Sequence, residues 1–102
     1  MILEAAMLQV RPEMEERFDE AFRDASSIIA SMPGYHSHAL RRCLEVPATY
    51  LLLVLWERLE DHTTGFRTSP AYQEWKRSLH HFYDSFPIVE HIEPIHAAPL
   101  PQ

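Results

Sequence analysis

The sequence predicts an α+β domain with a ferredoxin-like fold, in which a four-stranded antiparallel sheet carries both helices on one face. The hydrophobic period switches between two and about 3.6 residues in the order strand, helix, strand, strand, helix, strand. The turn-forming pairs Pro33-Gly34 and Pro47-Ala48 separate the first helix from the second strand and the second strand from the third. This order of elements is typical of the ferredoxin-like arrangement.

The first strand and the first helix are expected at the start of the chain. Residues 2–10 carry apolar side chains on both sides of an alternating pattern, which indicates a strand covered on both faces. Pro12 suits the first turn of a helix, because that turn does not need the N–H that proline lacks. Apolar residues then recur every three or four positions as far as Met32, where a Pro-Gly pair ends the helix.

The next segment predicts a hairpin. Residues 35–46 alternate with a period of two, Pro47-Ala48 supplies the turn, and residues 49–56 are rich in residue types that fit a buried strand. Residues 60–67 then indicate a short helical turn that leads into a loop.

The second helix has a clear start at Ser69-Pro70, a capping hydroxyl followed by a proline. Its apolar stripe continues to Phe86, and Pro87 stops it. The apolar residues between 88 and 96 indicate a last strand. We therefore expect a single domain over residues 1–96 and a C-terminal tail over residues 97–102.

The apolar character of both sides of the strands also predicts a partner. A ferredoxin-like sheet leaves one face without helices, and an apolar face of this size needs a cover. A second identical chain is the simplest cover, so we expect a homodimer.

Charge and motif content exclude several classes of function. Fifteen acidic residues against nine basic ones give a net charge of −6, which repels nucleic acid and anionic lipid. The start of the chain lacks the pattern of a signal peptide and no apolar run is long enough to cross a bilayer, so we expect a cytoplasmic protein. Without a Cys-x-x-Cys, a His-Glu-x-x-His or a glycine-rich phosphate loop, we expect no metal and no nucleotide cofactor. The alternative is a metal site, in which His36 and His38, two apart on one strand face, would bind a metal ion together with His62 or His91.

Three segments of the second half resemble the antibiotic biosynthesis monooxygenase family. They are Val54-Leu55-Trp56-Glu57, Glu60-Asp61-His62 and Gly65-Phe66-Arg67-Thr68-Ser69-Pro70-Ala71-Tyr72. The Pro33-Gly34-Tyr35 junction and the terminal Val89-Glu90-His91 segment are also similar to the family pattern, so the resemblance covers about residues 1–96. Members of the family are dimeric α/β barrels, and the resemblance therefore implies that two of these sheets pair into such a barrel.

The resemblance also implies an activity. The family includes cofactor-free oxygenases, haem-degrading enzymes, isomerases and members without a known role. Its cofactor-free branch uses an asparagine, a tryptophan, a tyrosine and an arginine; Trp56, Tyr72 and Arg77 are comparable here, whereas the chain contains no asparagine. We therefore expect a cofactor-independent monooxygenase-like protein that acts on a small aromatic or quinol-like substrate.

Seven residues are candidates for such a site. His62 would deprotonate a hydroxyl group, since imidazole titrates near neutral pH. Tyr72 and either Arg67 or Arg77 would hold the resulting anion, while aromatic side chains would shield it from water. The predicted catalytic residues are His62, Tyr72 and Arg77, and the predicted substrate-binding residues are Trp56, Phe66, Arg67 and Trp75.

Each candidate also has a purely structural explanation. His62 suits a helix cap or a contact across a dimer, the aromatic residues suit packing between helix and sheet, and the arginines suit a solvated surface. Two further functions therefore stay open. One is a non-catalytic dimeric module that binds a small ligand or serves in a stress response, and the other is an isomerase that uses His62 as a proton shuttle.

Overall fold

Four strands and two helices form residues 1–96, the part of the chain that a computed structural model describes. The predicted tail at 97–102 lies outside the described residues. The strands are β1 (Ile2–Gln9), β2 (Tyr35–Arg42), β3 (Thr49–Trp56) and β4 (Ile88–Ile92), and the helices are α1 (Glu15–Ala30) and α2 (Pro70–Leu79). The strands pair antiparallel in the order β2-β3-β1-β4. The prediction of a ferredoxin-like α+β fold is confirmed.

Both helices cover the same face of this sheet. Helix α1 buries Phe18, Phe22, Ala25 and Ile29, and α2 buries Trp75 and Leu79. Their side chains join one core with alternate residues of the central strands. The Oγ of Ser69 accepts a hydrogen bond from the backbone N–H of Tyr72 at 3.2 Å, so the predicted start of α2 is confirmed.

The other face of the sheet has no helix on it in the described segment. Its residues alternate with those of the helix-covered face and lie side by side in the strand register. They are Leu3, Ala5, Met7, Ser37, Ala39, Arg41, Leu51, Leu53, Leu55, Ile88, Glu90 and Ile92. This set, called the open face below, is mostly apolar and is half-buried or exposed in the single chain.

Strand β2 is shorter than the alternating pattern predicts. It ends at Arg42 rather than at residue 46, and the side chains of Leu44 and Val46 are 89% and 53% exposed. Arg42 forms the last pair with β3, and Ala48 then takes a positive φ of 59° that breaks the extended backbone. Pro47 also lacks the N–H that a ladder needs, so residues 43–48 form a loop.

Strand β4 is also shorter than predicted, since it ends at Ile92 rather than near residue 96. Ile92 pairs with Leu3, which is next to the first residue of β1, so the partner strand ends there. Pro94 follows and cannot donate to a ladder. Each α-helix is also shorter than predicted at one end. Residues Pro12–Met14 form a 3-10 turn before α1, and His80–Phe82 form another after α2.

Gly34 fixes the connection from α1 to β2, and its substitution gives a clear stability prediction. It has a φ of 84°, its carbonyl accepts from the N–H of Glu57 at 2.7 Å, and an added Cβ would clash with the side chain of Asp61. We expect Gly34→Ala to lower the free energy of unfolding by about 2 kcal/mol or more, because strain and a clash add up. Urea denaturation measures this loss.

Gly65→Ala is the matched control for that experiment. An added Cβ at Gly65 would lie 3.6 Å from the backbone oxygen of Glu60, an ordinary contact, and Gly65 has no positive φ. We expect a change within about 1 kcal/mol. Equal losses in the two variants would show that neither the conformation nor the Asp61 contact matters.

Candidate functional site

A cavity of about 410 Å³ lies between the sheet and α2. It is lined from below by β1, β3 and β4, from one side by the π-helical turn Asp61–Phe66, and from above by α2 and the residues that follow it. The lining residues are Glu4, Ala6, Leu8, Ile29, Leu52, His62, Phe66, Arg67, Tyr72, Trp75, His80, Tyr83, Phe86, Pro87 and Val89. Cavities of this size hold small organic molecules.

Aromatic rings form one wall of the cavity. The ring of Phe66 meets Tyr72 edge-on with centroids 5.2 Å apart, and it meets Trp75 edge-on at 5.9 Å. Phe66 and Trp75 are buried, and Tyr72 is half-buried. Edge-to-face packing of this kind fixes the rings and presents a flat apolar surface, which suits an aromatic ligand.

Glu4 introduces a carboxyl group into this apolar surrounding. The strand register places it between Val54 of β3 and His91 of β4, on the helix-covered face, where it is only 6% exposed. Its Oε1 accepts a hydrogen bond from Nε1 of the fully buried Trp56 at 3.0 Å. A buried carboxyl group needs such partners, because desolvation strongly disfavours its charge.

His62 connects Glu4 to a second histidine. Its ring stacks on Trp56 with centroids 5.6 Å apart and planes at 21°, and its Nε2 lies 3.4 Å from Oε1 of Glu4. Its Nδ1 is hydrogen-bonded to Nε2 of His91 at 2.8 Å. The simplest proton assignment has Nε2–H of His91 donating to Nδ1 of His62, and the Nε2–H of His62 facing the carboxylate.

The charges of this group follow from its burial. Burial lowers the pKa of His62 to about 3, helped by the positive charge of Arg67 and by His91. His62 is therefore neutral at pH 7, and its contact with Glu4 is that of an N–H dipole with a carboxyl group rather than an ion pair. Burial raises the pKa of Glu4, although the hydrogen bond from Trp56 and the charge of Arg67 both oppose the rise.

The second oxygen of Glu4 is the free basic atom of the site. Trp56 and His62 both approach Oε1, and no residue of the described segment donates a hydrogen bond to Oε2. Within residues 1–96 no side-chain oxygen is both fully buried and without a hydrogen-bond partner. Oε2 therefore keeps some accessible surface, and Glu4 is one of the residues that line the cavity.

Arg67 and Tyr83 provide donors around the same volume. Arg67 is exposed, lines the cavity and has no ion-pair partner among residues 1–96. Burial raises the pKa of Tyr83, and nearby Tyr72 and Glu4 raise it further, so its hydroxyl stays protonated. The cavity thus offers a cation and a neutral O–H donor to an anionic oxygen.

The structure brings most of the sequence-predicted residues to this cavity. His62, Phe66, Arg67, Tyr72 and Trp75 line it. Trp56 does not line the cavity. It donates a hydrogen bond to Glu4, and its ring stacks on that of His62. Arg77 is exposed and is not part of the lining, since it lies two helical steps after Trp75 and therefore about 200° around the helix from it.

Sequence reasoning missed Glu4, His91 and Tyr83. Glu4 could have been found from the sequence, because it is the one charged residue on the side of the first strand that also carries Ala6, Leu8 and Val10. A lone acid in such a pattern has to find buried partners. His91 and Tyr83 left no comparable signal, since each becomes relevant only when the fold brings it to Glu4 or His62.

The buried neutral state of His62 gives a prediction for stability against pH. In the unfolded chain histidine takes up a proton near pH 6.5, whereas folded His62 does so near pH 3. Between these values the unfolded state binds the additional proton, so the free energy of unfolding falls as the pH falls, by at most about 1.4 kcal/mol per pH unit from this group.

His62→Gln tests this prediction, because glutamine keeps an N–H near Glu4 and cannot titrate. We expect the wild-type protein to lose stability relative to the variant from pH 6.5 downward, in urea denaturation at pH 7, 6, 5 and 4.5. His80, whose pKa is also lowered by burial, is common to both proteins and its contribution cancels. His91 contacts His62, so its own lowered pKa adds to the measured difference. Parallel curves would mean that His62 takes up its proton at the same pH in the folded protein as in the unfolded chain.

Among residues 1–96 no three His, Cys, Asp or Glu side chains are grouped so that they could hold a metal ion. Neither helix there has the length and apolarity needed to cross a membrane.

Comparison with known proteins identifies the family. The model of the antibiotic biosynthesis monooxygenase family matches residues 1–78. YczJ of Bacillus subtilis, itself uncharacterized, is 54% identical over 95 residues, which cover 93% of this chain and 100% of YczJ.

Two solved structures show the same fold. A Bordetella bronchiseptica protein that carries the family name is 32% identical, with a TM-score of 0.90 over 93% of this chain and 97% of the other. SnoaB of Streptomyces nogalater, described as a cofactor-independent oxygenase, is 15% identical, with a TM-score of 0.82 over 97% of both chains. At that identity the likeness to SnoaB shows the fold alone. On the family match and the close relatives, this chain belongs to the antibiotic biosynthesis monooxygenase family.

Proposed function

We propose that the protein is a cofactor-independent monooxygenase that converts a small phenol or quinol into a quinone. The observation that carries the proposal is the free Oε2 of Glu4, one oxygen of a largely buried carboxyl group that lines an aromatic cavity together with Arg67. Family membership supports the reaction class. The fold that the chain shares with SnoaB, a cofactor-independent oxygenase by name, is consistent with chemistry that needs no bound group.

In the first step Oε2 of Glu4 takes the proton from the hydroxyl group of the substrate. A raised pKa makes the ionised Glu4 a stronger base than an ordinary carboxylate, and so brings it closer to the basicity that a phenol requires. The guanidinium group of Arg67 and the hydroxyl groups of Tyr72 and Tyr83 stabilise the phenolate. In this proposal His62 supports the base, because both of its ring nitrogens face protein groups.

In the second step the electron-rich phenolate reacts with dioxygen. A hydrogen-bearing ring carbon ortho or para to the oxygen forms a C–O bond to O₂, and the peroxide takes the proton that Glu4 holds. The C–H proton is then lost as the O–O bond breaks. One oxygen atom stays as the new quinone carbonyl, and the other leaves as water with the two protons. The phenol is oxidised by four electrons and O₂ is reduced by four, so substrate and O₂ are the only reactants.

The open face supports a second proposal, that two chains pair through their sheets. Leu51, Leu53 and Leu55 form its central row, flanked by Ala5 and Ala39 in the register. A monomeric domain seldom leaves a contiguous apolar patch of this extent in water. A second copy with the same patch would cover it by a two-fold interface, as the family resemblance implies.

Oxygen consumption in the presence of a panel of phenols and quinols tests the proposed function. We expect one O₂ consumed per substrate, and one ¹⁸O atom in the product when the reaction is run under ¹⁸O₂. Catalase controls for release of hydrogen peroxide, which would indicate an oxidase. A protein that binds panel members and consumes no oxygen with any of them would contradict the proposal.

The chain of contacts from Glu4 through His62 to His91 favours an isomerase as the second candidate. A buried base next to a cation also suits proton abstraction beside a carbonyl group. An isomerase would exchange substrate protons for deuterium from solvent without consuming oxygen. A non-catalytic ligand-binding module would do neither, so the same samples separate the three functions.

A further inference from the structure

We propose that His91 is a positioning residue, whose Nε2–H donates to Nδ1 of His62 and thereby holds the proton of His62 on Nε2, facing Glu4. The inference rests on the proposed role of Glu4 as the base. It assigns a function to an exposed histidine at the edge of the sheet that lies outside the cavity lining.

The rings of His62 and His91 are in direct contact. Their rings lie 5.0 Å apart at an interplanar angle of 48°, and Nδ1 of His62 is 2.8 Å from Nε2 of His91. Two neutral rings in this contact must share one proton as donor and acceptor. Burial, and to a smaller extent the charge of Arg67, lowers the pKa of both rings, so both are neutral at pH 7.

The contact with Glu4 decides the direction of that donation. If His62 carried its proton on Nδ1, the lone pair of Nε2 would face Oε1 of Glu4 at 3.4 Å. Two lone pairs in a buried contact repel each other unless the carboxyl group is protonated. The opposite arrangement places an N–H dipole on the carboxylate and favours its ionised form.

This tautomer of His62 leaves Oε2 of Glu4 free to act as the proposed base. Trp56 donates its N–H to Oε1, and Nε2 of His62 lies 3.4 Å from the same oxygen, so both groups favour the ionised form of Glu4 and leave the lone pairs of Oε2 to the substrate. The other titratable groups near Glu4 are Arg67 after the π-helical turn, and Tyr72 and Tyr83 above the cavity. Within residues 1–96 none of these groups is hydrogen-bonded to Nδ1 of His62, so His91 is the partner that stabilises the unprotonated Nδ1 while Glu4 favours a proton on Nε2.

Nuclear magnetic resonance of ¹⁵N-histidine-labelled protein tests the inference without any substrate. In the wild-type protein at pH 7, Nδ1 of His62 should show the chemical shift of an unprotonated ring nitrogen, and Nε2 that of a protonated one. In His91→Leu, which has no donor, the proton should move to Nδ1, at least in part. The pKa of Glu4, followed by carboxyl ¹³C shifts, should rise by about one pH unit or more.

His91→Gln is the conservative variant, because its side-chain amide can donate from nearly the same place as Nε2 of histidine. It should restore the wild-type tautomer and the wild-type pKa of Glu4. His36→Leu is the control: His36 is exposed, pairs with Glu57 at 2.6 Å and does not line the cavity, so it should change neither quantity.

The wild-type spectrum by itself can overturn the proposal. A proton on Nδ1 of His62 in the wild-type protein would do so, even if the variants failed to fold. Unchanged tautomer and unchanged Glu4 pKa in a folded His91→Leu would do so as well. If instead the magnetic resonance results agree and no phenol is oxygenated, the positioning role stands and the proposed reaction fails.

Discussion

Replacing Glu4 with glutamine should lower kcat for an unactivated phenol by about 10³-fold, because a positioned general base contributes about 10²–10⁴-fold. Glutamine has nearly the same shape and can still accept the hydrogen bond of Trp56, so the fold should persist. We expect the melting temperature to stay the same or to rise slightly, since the variant buries no titratable carboxyl group. Substrate affinity should change by a few-fold at most.

The acidity of the substrate provides an internal check on that result. A phenol that is already ionised at the assay pH needs no base, so the loss in Glu4→Gln should shrink with nitrophenols and at higher pH. Glu74→Gln is the matched control, because Glu74 lies on the exposed side of α2 and does not line the cavity. Full activity of Glu4→Gln on an unactivated phenol would remove Glu4 from the mechanism, and His62 would become the remaining candidate for the base.

The raised pKa of Glu4 and its proposed catalytic role have one physical origin. A carboxyl group in an apolar cavity is destabilised when ionised, and this same cost makes it a stronger base toward a phenol. Trp56, which sequence analysis assigned to substrate binding, contributes by holding Oε1 with its indole N–H. The site therefore depends on a buried residue that has no place in the cavity lining.

The fold could be predicted from the sequence because its signals are local. The change of hydrophobic period, the Ser-Pro start of α2 and the Pro-Gly end of the first helix each act within a few residues. The end of β2 is different. Leu44 and Val46 continue the alternation of the strand, and the absence of a partner opposite them depends on where β3 begins.

The site could be predicted only in part for the same reason. Aromatic residues of α2 and the π-helical turn share a short stretch of sequence, so Phe66, Tyr72 and Trp75 could be grouped in advance. Glu4 and His91 are at opposite ends of the chain, and the pairing of β1 with β4 brings them together. No local pattern encodes that the register sets these two residues opposite each other.

The open face leads to the largest expected effect on folding. Leu53 lies at its centre, on β3 between Ala5 of β1 and Ala39 of β2. If two sheets pair there, Leu53→Glu buries a charge without a partner, which costs several kcal/mol on each side of the interface. A domain of this size has about 5–15 kcal/mol of stability in total, so we expect the variant to be unfolded or aggregated.

Light scattering coupled to size exclusion tests the dimer directly. Each chain has a mass of 11.9 kDa, so a dimer of two chains has 2 × 11.9 = 23.8 kDa. The melting temperature of the wild-type protein should rise with protein concentration, because unfolding of a dimer also separates its chains. Leu44→Glu is the control, since Leu44 is 89% exposed in the loop after β2 and should tolerate a charge.

The two variants together distinguish an obligate dimer from a dispensable one. A stable, soluble Leu53→Glu monomer would show that the domain folds without its partner, and a wild-type mass of 11.9 kDa would show that no partner is present. In either case the leucine row of the open face would be exposed to solvent in a single chain. Strand pairing and the core under the helices would then have to supply all of the stability, and the cavity beside Glu4 would be formed by one chain alone.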